Sequence, residues 1–284
     1  ISSGVILSLN IRRAKVVKIM YIFAYMAKRK GRRKGRKKVR RIKVGPAETG
    51  IAVAVLLALI CLPLICNRVN ERGAAVPEGS FAFVVDISHH QKTVIWDSLA
   101  VMTDAKGRTV RSPKKAVRIR QPDYVVMKAS EGEKYRDECF AERWEQAAGC
   151  GFRRGAYHYF LAGKDPVRQA QNFAQTVGQL SFRDMAPVLD VEEKAAAMGR
   201  KEFNDRVLLC LQETERLFGR KPIVYAPDSF ISDIFDERIS EGYDLWVARY
   251  SDEKPLCGNW TYWQFTDKAV IYGVEGKADL SVIR

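Results

Sequence analysis

From Phe81 onward, short apolar runs recur with helical segments between them, and this alternation limits the fold more than any other feature. The runs are FAFVVDI (81–87), DYVVMKA (123–129), RGAYHYF (154–160), MAPVLDV (185–191), PIVYA (222–226), DLWVARY (244–250), TYWQF (261–265) and KADLSVI (277–283). Their β-branched and aromatic residues, over so short a length, suit buried strands. The segments between carry helix punctuation. Asp165-Pro166 supplies an N-cap and a first-turn proline, and Ala170, Phe173, Ala174 and Val177 follow at helical spacing. Phe203, Val207, Leu208, Leu211 and Leu217 repeat that pattern up to Gly219, a residue suited to a helix C-terminus. A further helix is expected over 136–148, with Phe140, Trp144 and Ala147 on one face. Such α/β alternation over roughly 200 residues predicts a parallel sheet, closed or nearly closed into a single β/α barrel. A doubly wound open sheet is the alternative. Residues 99–120 interrupt the alternation, and the AKGR turn there predicts an inserted hairpin.

A parallel barrel gathers its functional side chains at the C-terminal ends of its strands. Asp86 follows FAFVV, Tyr159 follows RGAYH, Asp190 and Glu192 follow MAPVL, Gln264 follows TYW, and Asp279 follows GKA. Four carboxylates therefore converge on one rim. Asp190 and Glu192 are two apart, so on an extended segment both point the same way. Crowded carboxyls in a partly dry site keep one of them protonated near neutrality. Glycoside hydrolysis needs that division: a proton donor for the leaving oxygen and a carboxylate facing the developing positive charge. The competing reading of LDVEE is a solvated strand end.

Tyr157, Tyr159, Trp246, Tyr250, Tyr262 and Trp263 lie in or beside the strand ends. Their rings suit stacking on sugars or filling a core, and strand alternation must turn some away from the site. His89 and His90 are adjacent and should point apart, which argues against a shared metal. His158 either orients a carboxylate or is a satisfied buried histidine, and Lys128 with Glu131 reads equally as a salt bridge or a ligand contact. No G-x-G-x-x-G or P-loop follows a strand, no G-x-S-x-G is present, and no C-x-x-C suggests zinc. Cys139 and Cys150 fall on one expected helix, too far apart to bridge.

The formal charge of +15 belongs to the N-terminal tail. Residues 28–43 (KRKGRRKGRKKVRRIK) hold 12 basic residues and no acidic one, whereas 44–284 carries 32 basic against 33 acidic residues. An apolar run, Gly50 to Cys66, follows the basic tract directly. Its length is at the short end of a membrane span, and it lacks the cleavage site of a removable signal. It reads as an uncleaved transmembrane signal anchor. Positive charge stays inside, so 1–49 is expected in the cytoplasm and the chain after 66 outside it. The position of the basic tract favours topology over nucleic-acid binding, so no nucleic acid is expected. Residues 67–80 read as a linker, 81–284 as the catalytic domain, and Met26 as an alternative natural start.

The exported region resembles glycoside hydrolase family 25, the lysozymes also called N-acetylmuramidases. The resemblance rests on VVDISHHQ (84–91), VVMKASEG (125–132), GAYHYF (155–160), VLDVEE (188–193), WVARY (246–250), YWQFT (262–266) and ADLSV (278–282), in that order. It implies a flattened, incomplete β/α barrel that cleaves the β-1,4 bond between N-acetylmuramic acid and N-acetylglucosamine in peptidoglycan, with no metal or organic cofactor. It implies Glu192 as general acid and Asp190 as its carboxylate partner, assisting the acetamido group of the substrate. Asp86 and Asp279 complete an acidic floor, and Tyr159, Trp246, Tyr250 and Gln264 contact substrate. Ser281 stands where the family commonly has asparagine. A wall-binding module that does not cut, and a hydrolase of chitin or another N-acetylated glycan, are the competing functions.

Overall fold

The computed structural model describes residues 73–79 and 82–284. The basic tail and the apolar run at 50–66 lie outside the described residues. Among the described residues, no helix is long and apolar enough to cross a membrane.

Eight strands close into a barrel. In chain order they are β1 (Phe83–Ile87), β4 (Tyr124–Glu131), β6 (Arg154–Tyr159), β7 (Val188–Asp190), β8 (Ile223–Pro227), β9 (Asp244–Ala248), β10 (Trp260–Ala269) and β11 (Ala278–Ile283). The order around the barrel is β1-β11-β10-β9-β8-β7-β6-β4, and β4 pairs back onto β1 through Val84↔Tyr124 to Ile87↔Met127. The barrel is therefore closed rather than incomplete, because β1 has a hydrogen-bonded neighbour on each side. The remaining strands lie outside the ring: β2 (Val101–Thr103) and β3 (Arg118–Arg120) form an antiparallel ribbon, and β5 (Tyr135–Arg136) pairs with the end of β4.

The sheet is not wholly parallel. β11 runs antiparallel to both β1 and β10. Residues 270–277 join β10 to β11 without a helix, and so short a return permits only an antiparallel neighbour. This reversal changes the reason that Asp279 reaches the site. It sits at the start of its strand, and the start of β11 lies beside the C-terminal end of β1, in register with Asp86.

Strand alternation sorts the apolar side chains into two layers. Val84, Val126, Val188, Ile223, Tyr225 and Trp246 pack together with Met185 inside the barrel. Val85, Met127, Leu189, Val224, Val247 and Leu280 point outward into the larger core beneath the helices. The helices are few: α1 (Phe140–Gly149), α2 (Pro166–Val177), α3 (Arg200–Phe218) and the short α4 (Asp228–Asp233) and α5 (Glu237–Ser240). The punctuation works as expected. Asp165 Oδ1 accepts from the Val167 and Arg168 amides, and α3 ends at Gly219 in the left-handed conformation, φ 64°. α1 begins later than expected, at Phe140, because Tyr135–Arg136 is drawn into pairing with β4. Cys139 and Cys150 flank it, and the four described cysteines are free thiols.

The 99–120 segment forms the expected hairpin, with Asp104 Oδ1 accepting from the Lys106 and Arg108 amides and Gly107 at φ 70°. Leu99 and Val101 enter the same core as Phe83, Val85, Leu280 and Val282. The insertion thus covers strands that no helix flanks.

Gly155 faces the barrel interior, where a Cβ would come within 2.7 Å of Val126 Cγ2 and 3.3 Å of Met185. Gly155→Val should overpack this layer and cost about 1–3 kcal/mol. Thermal unfolding should show a Tm lower by roughly 2–10 °C for a domain of this size. An unchanged Tm would mean that the interior has slack.

Candidate active site

The C-terminal end of the barrel opens into a small cleft of about 70 Å³ lined by Asp86, Tyr157, Val188, Asp190, Glu192, Tyr225, Trp246, Gln264 and Asp279. All four acidic residues picked from the strand ends meet there. The route taken by Glu192 differs from the expected one, because β7 ends at Asp190 and Glu192 lies beyond it. The Val191 amide still donates to the Tyr225 carbonyl at 2.8 Å, so the extended alternation continues. Val188, Asp190 and Glu192 face the cleft, while Leu189 and Val191 enter the outer core.

Burial and mutual repulsion raise all four carboxyl groups. Asp86 is raised well above its usual range by burial and then by Asp279, with which it shares a hydrogen bond. Asp279 is itself raised by burial, while the Asp86 bond pulls it back down. Asp190 is raised well above the usual range by burial and then by Glu192. Glu192 is raised by loss of solvent and then by Asp279, and a hydrogen bond with Tyr225 works against this. Asp86 and Asp190 are buried, Asp279 is half-buried, and Glu192 is exposed at the mouth. Asp190 Oδ1 is buried and accepts no hydrogen bond from the described residues.

Gln264 organises the floor. Its Oε1 accepts from the Tyr225 and Tyr250 hydroxyls, each at 2.7 Å, and its Nε2 donates to Asp86 Oδ2 at 3.1 Å. An amide can serve hydroxyl donors on one side and a carboxyl on the other, whereas a carboxylate could not donate to Asp86. Lys128 opposes the acidic charge and lowers both Asp190 and Glu192. Its Nζ pairs with Glu131 at 2.6 Å and stands 5.1 Å from the centre of the Tyr159 ring.

The aromatic residues divide by strand face. Tyr157 and Trp246 line the cleft, and Tyr250 stands at its rim, 55% exposed. Tyr159, half-buried, has its hydroxyl pKa raised by burial and by Glu192. Trp246 is only 2% exposed, and its indole N–H donates to Ser281 Oγ at 2.9 Å. Ser281 therefore anchors the floor. Tyr262 packs deeper inside the barrel, and Trp263 faces outward with its N–H on the Arg249 carbonyl.

His158 is not in the cleft. It points beneath α2, with Nδ1 2.8 Å from Ser130 Oγ and Nε2 3.4 Å from Gln169 Oε1, and burial pushes its pKa down to about 4. His89 contacts Asp137 at 2.8 Å, and its ring centre lies 4.1 Å from that of His90, so the pair share a side. Among the described residues, no cluster of three or more His, Cys, Asp or Glu side chains is arranged to hold a metal ion. Tyr225 was not singled out from the sequence. Its signal is the inward position in PIVYA, in register with Asp190 and Trp246.

A closed β/α barrel with raised carboxyl groups in a polar, aromatic-flanked cleft defines a hydrolase suited to glycosidic bonds. Comparison with known proteins narrows the class. The sequence profile of Glycosyl hydrolases family 25 matches residues 85–274. The chain is 33% identical over 200 residues to YegX of Escherichia coli K12, covering 70% of this chain and 68% of that protein. It is 28% identical over 162 residues to the autolytic lysozyme of Clostridium acetobutylicum, covering 56% of this chain and 48% of that one. A family 25 glycosyl hydrolase from Bacillus anthracis shares the fold, with a TM-score of 0.59 at 23% identity over 75% of this chain and 92% of that one. The chain belongs to glycosyl hydrolase family 25, the lysozyme family, and is a glycoside hydrolase.

The raised carboxyls set a pH dependence. Between the ordinary value of 3.8 and its raised value, Asp86 binds a proton more tightly in the folded than in the unfolded chain. Its effect on stability therefore becomes less favourable as pH rises through that window. Asp86→Asn should raise Tm at pH 7 by at least ~2 °C, the order produced by ~1 kcal/mol. The gain should vanish near pH 4. A lower Tm across the whole range would show that the charge of Asp86 is not the cost.

Proposed function

We propose that this chain is a membrane-anchored muramidase that hydrolyses the β-1,4 bond between N-acetylmuramic acid and N-acetylglucosamine in peptidoglycan. One observation carries the reading: Asp86, Asp190, Glu192 and Asp279 share one cleft at the end of a closed barrel. Family membership supports the substrate class.

Glu192 is the general acid. It stands at the mouth, where a glycosidic oxygen can reach it, and its raised pKa favours the protonated form that must be delivered. Asp190 is its partner. Its Oδ1 has no protein donor, which suits it to accept the N–H of a substrate acetamido group and so steady that group as it attacks the anomeric carbon. As the glycosidic bond breaks, the leaving oxygen takes the Glu192 proton, and the carboxylate that remains can later accept a proton from water. Asp86 and Asp279 form the acidic floor under the developing positive charge. Tyr159 and Tyr250 serve as contacts for the sugar. Gln264 and Trp246, both buried, act by fixing the floor on which it rests.

Residues 50–66 anchor the protein in the cytoplasmic membrane, with 1–49 on the cytoplasmic side and the catalytic domain outside. The hydrophobicity of the run and the charge before it support this topology.

Glu192→Gln should reduce clearing of purified peptidoglycan by ~10²–10⁴-fold, the usual worth of a general acid, while co-sedimentation with the wall polymer is retained. Mass analysis of fragments released by the unaltered enzyme should find N-acetylmuramic acid at the new reducing ends. Clearing by the variant at the original rate would remove Glu192 from its role, and equal cutting of chitin oligomers would change the substrate. Protease added outside intact cells or spheroplasts should digest 81–284 and spare 1–49; the reverse pattern would invert the topology.

A further inference from the structure

The inserted segment 99–120 contributes no residue to the cleft. Its inner strand β2 is buried, but the four consecutive residues Val117, Arg118, Ile119 and Arg120 are exposed, the two aliphatic ones to 67% and 61%. The segment carries seven basic residues and one acidic residue. That acid, Asp104, is engaged by backbone amides of its own turn. Lys106, Arg108, Lys114, Arg118 and Arg120 form no ion pair among the described residues. Exposed aliphatic side chains among these five cations match an anionic interface that has an apolar layer beneath it.

The chain leading into the domain is fastened to this same ribbon. The Val76 amide donates to the Gly107 carbonyl and the Thr109 amide donates to the Ala74 carbonyl, both at 2.9 Å, with Ala75 opposite Arg108. Gly73 lies so close to Thr109 that any Cβ would collide with it. Between Gly73 and the end of the apolar run at Cys66 stand only residues 67–72. At ~3.3–3.6 Å per residue, this stretch cannot extend beyond about 25 Å. On the reading that 50–66 spans the membrane, the ribbon is tethered close to the bilayer surface.

We propose that the 99–120 hairpin is a second membrane contact, which binds an anionic lipid surface through its cations with Val117 and Ile119 in the interface. This goes beyond the anchor reading on which its tether rests, and the test separates the two. The full chain is reconstituted with nanodiscs of phosphatidylcholine alone or with phosphatidylglycerol added, and amide hydrogen exchange is read over 100–121 while flotation reports attachment. The expected result is flotation with both bilayers, with exchange over 114–121 slowed at least ~5-fold only where phosphatidylglycerol is present. Lys114→Glu with Arg118→Glu and Arg120→Glu should abolish that protection; all three positions are exposed, and unchanged peptidoglycan clearing by the triple variant would report an intact fold. Flotation with both bilayers and equal exchange in each overturns the hairpin contact while leaving the anchor in place. Flotation only with phosphatidylglycerol overturns the anchor, and the hairpin contact is then supported if exchange over 114–121 is slowed and overturned if it is not, since the basic tail at 28–43 could itself cause the flotation; flotation with neither overturns both. Protection conferred by a soluble poly(glycerol phosphate) but not by the bilayer also overturns the proposal, in favour of a wall polymer.

Discussion

The cleft depends on holding carboxyl groups close together and away from water against their mutual repulsion. Two unit charges ~4 Å apart in surroundings of intermediate polarity repel by about 4 kcal/mol, enough to push apart side chains on a pliable backbone. Here the backbone cannot give way. Asp86 lies on β1, which is hydrogen-bonded to β11 on one edge and to β4 on the other, and Asp279 sits opposite it in register. Asp190 lies on β7 between β6 and β8. Burial, and repulsion that movement cannot relieve, together raise the pKa values of Asp86 and Asp190.

Strand alternation made much of this arrangement legible. A strand buried on both faces has to be apolar along its length, so a polar group at its end stands out, and Asp86, Asp190 and Gln264 were readable for that reason. The same periodicity explains why His158 and Tyr159, neighbours in one motif, have different surroundings. His158 points beneath α2 to Ser130 and Gln169, while Tyr159 points toward Lys128 and the acidic mouth. Neither composition nor spacing could decide between the two readings of His158, because the deciding fact is which face of β6 lies inward.

Other features were hidden for physical reasons. The direction of β11 depends on the connection before it, where Gly273 and Gly276, at φ 86° and 87°, mark turns without fixing which way the next strand runs. Tyr225 sits in PIVYA, a run without a charged residue, so its part in the Gln264 network emerges only once β8 is set beside β7 and β9. Trp246 was readable as an aromatic at a strand end, yet its depth was not. Ser281, two residues after Asp279, holds its indole N–H, which fits a position where a small hydroxyl meets a large ring inside a closed barrel.

The insertion shows how a barrel short of helices can still cover its outer surface. β1 and β11 present Phe83, Val85, Leu280 and Val282 outward, and Leu99 and Val101 pack into that layer. The ribbon is also fastened to the far end of the β10–β11 hairpin: Thr109 Oγ1 accepts from the Val270 amide, Ala100 pairs with Tyr272, and Arg111 donates to the Gly276 carbonyl at 2.5 Å. Those same two strands carry Gln264 and Asp279. The side chains that order the cleft floor and the backbone that holds the ribbon are therefore parts of one antiparallel pair. That pair is itself fixed twice, by β9 on one flank and by β1 on the other, so the floor and the ribbon share one rigid support.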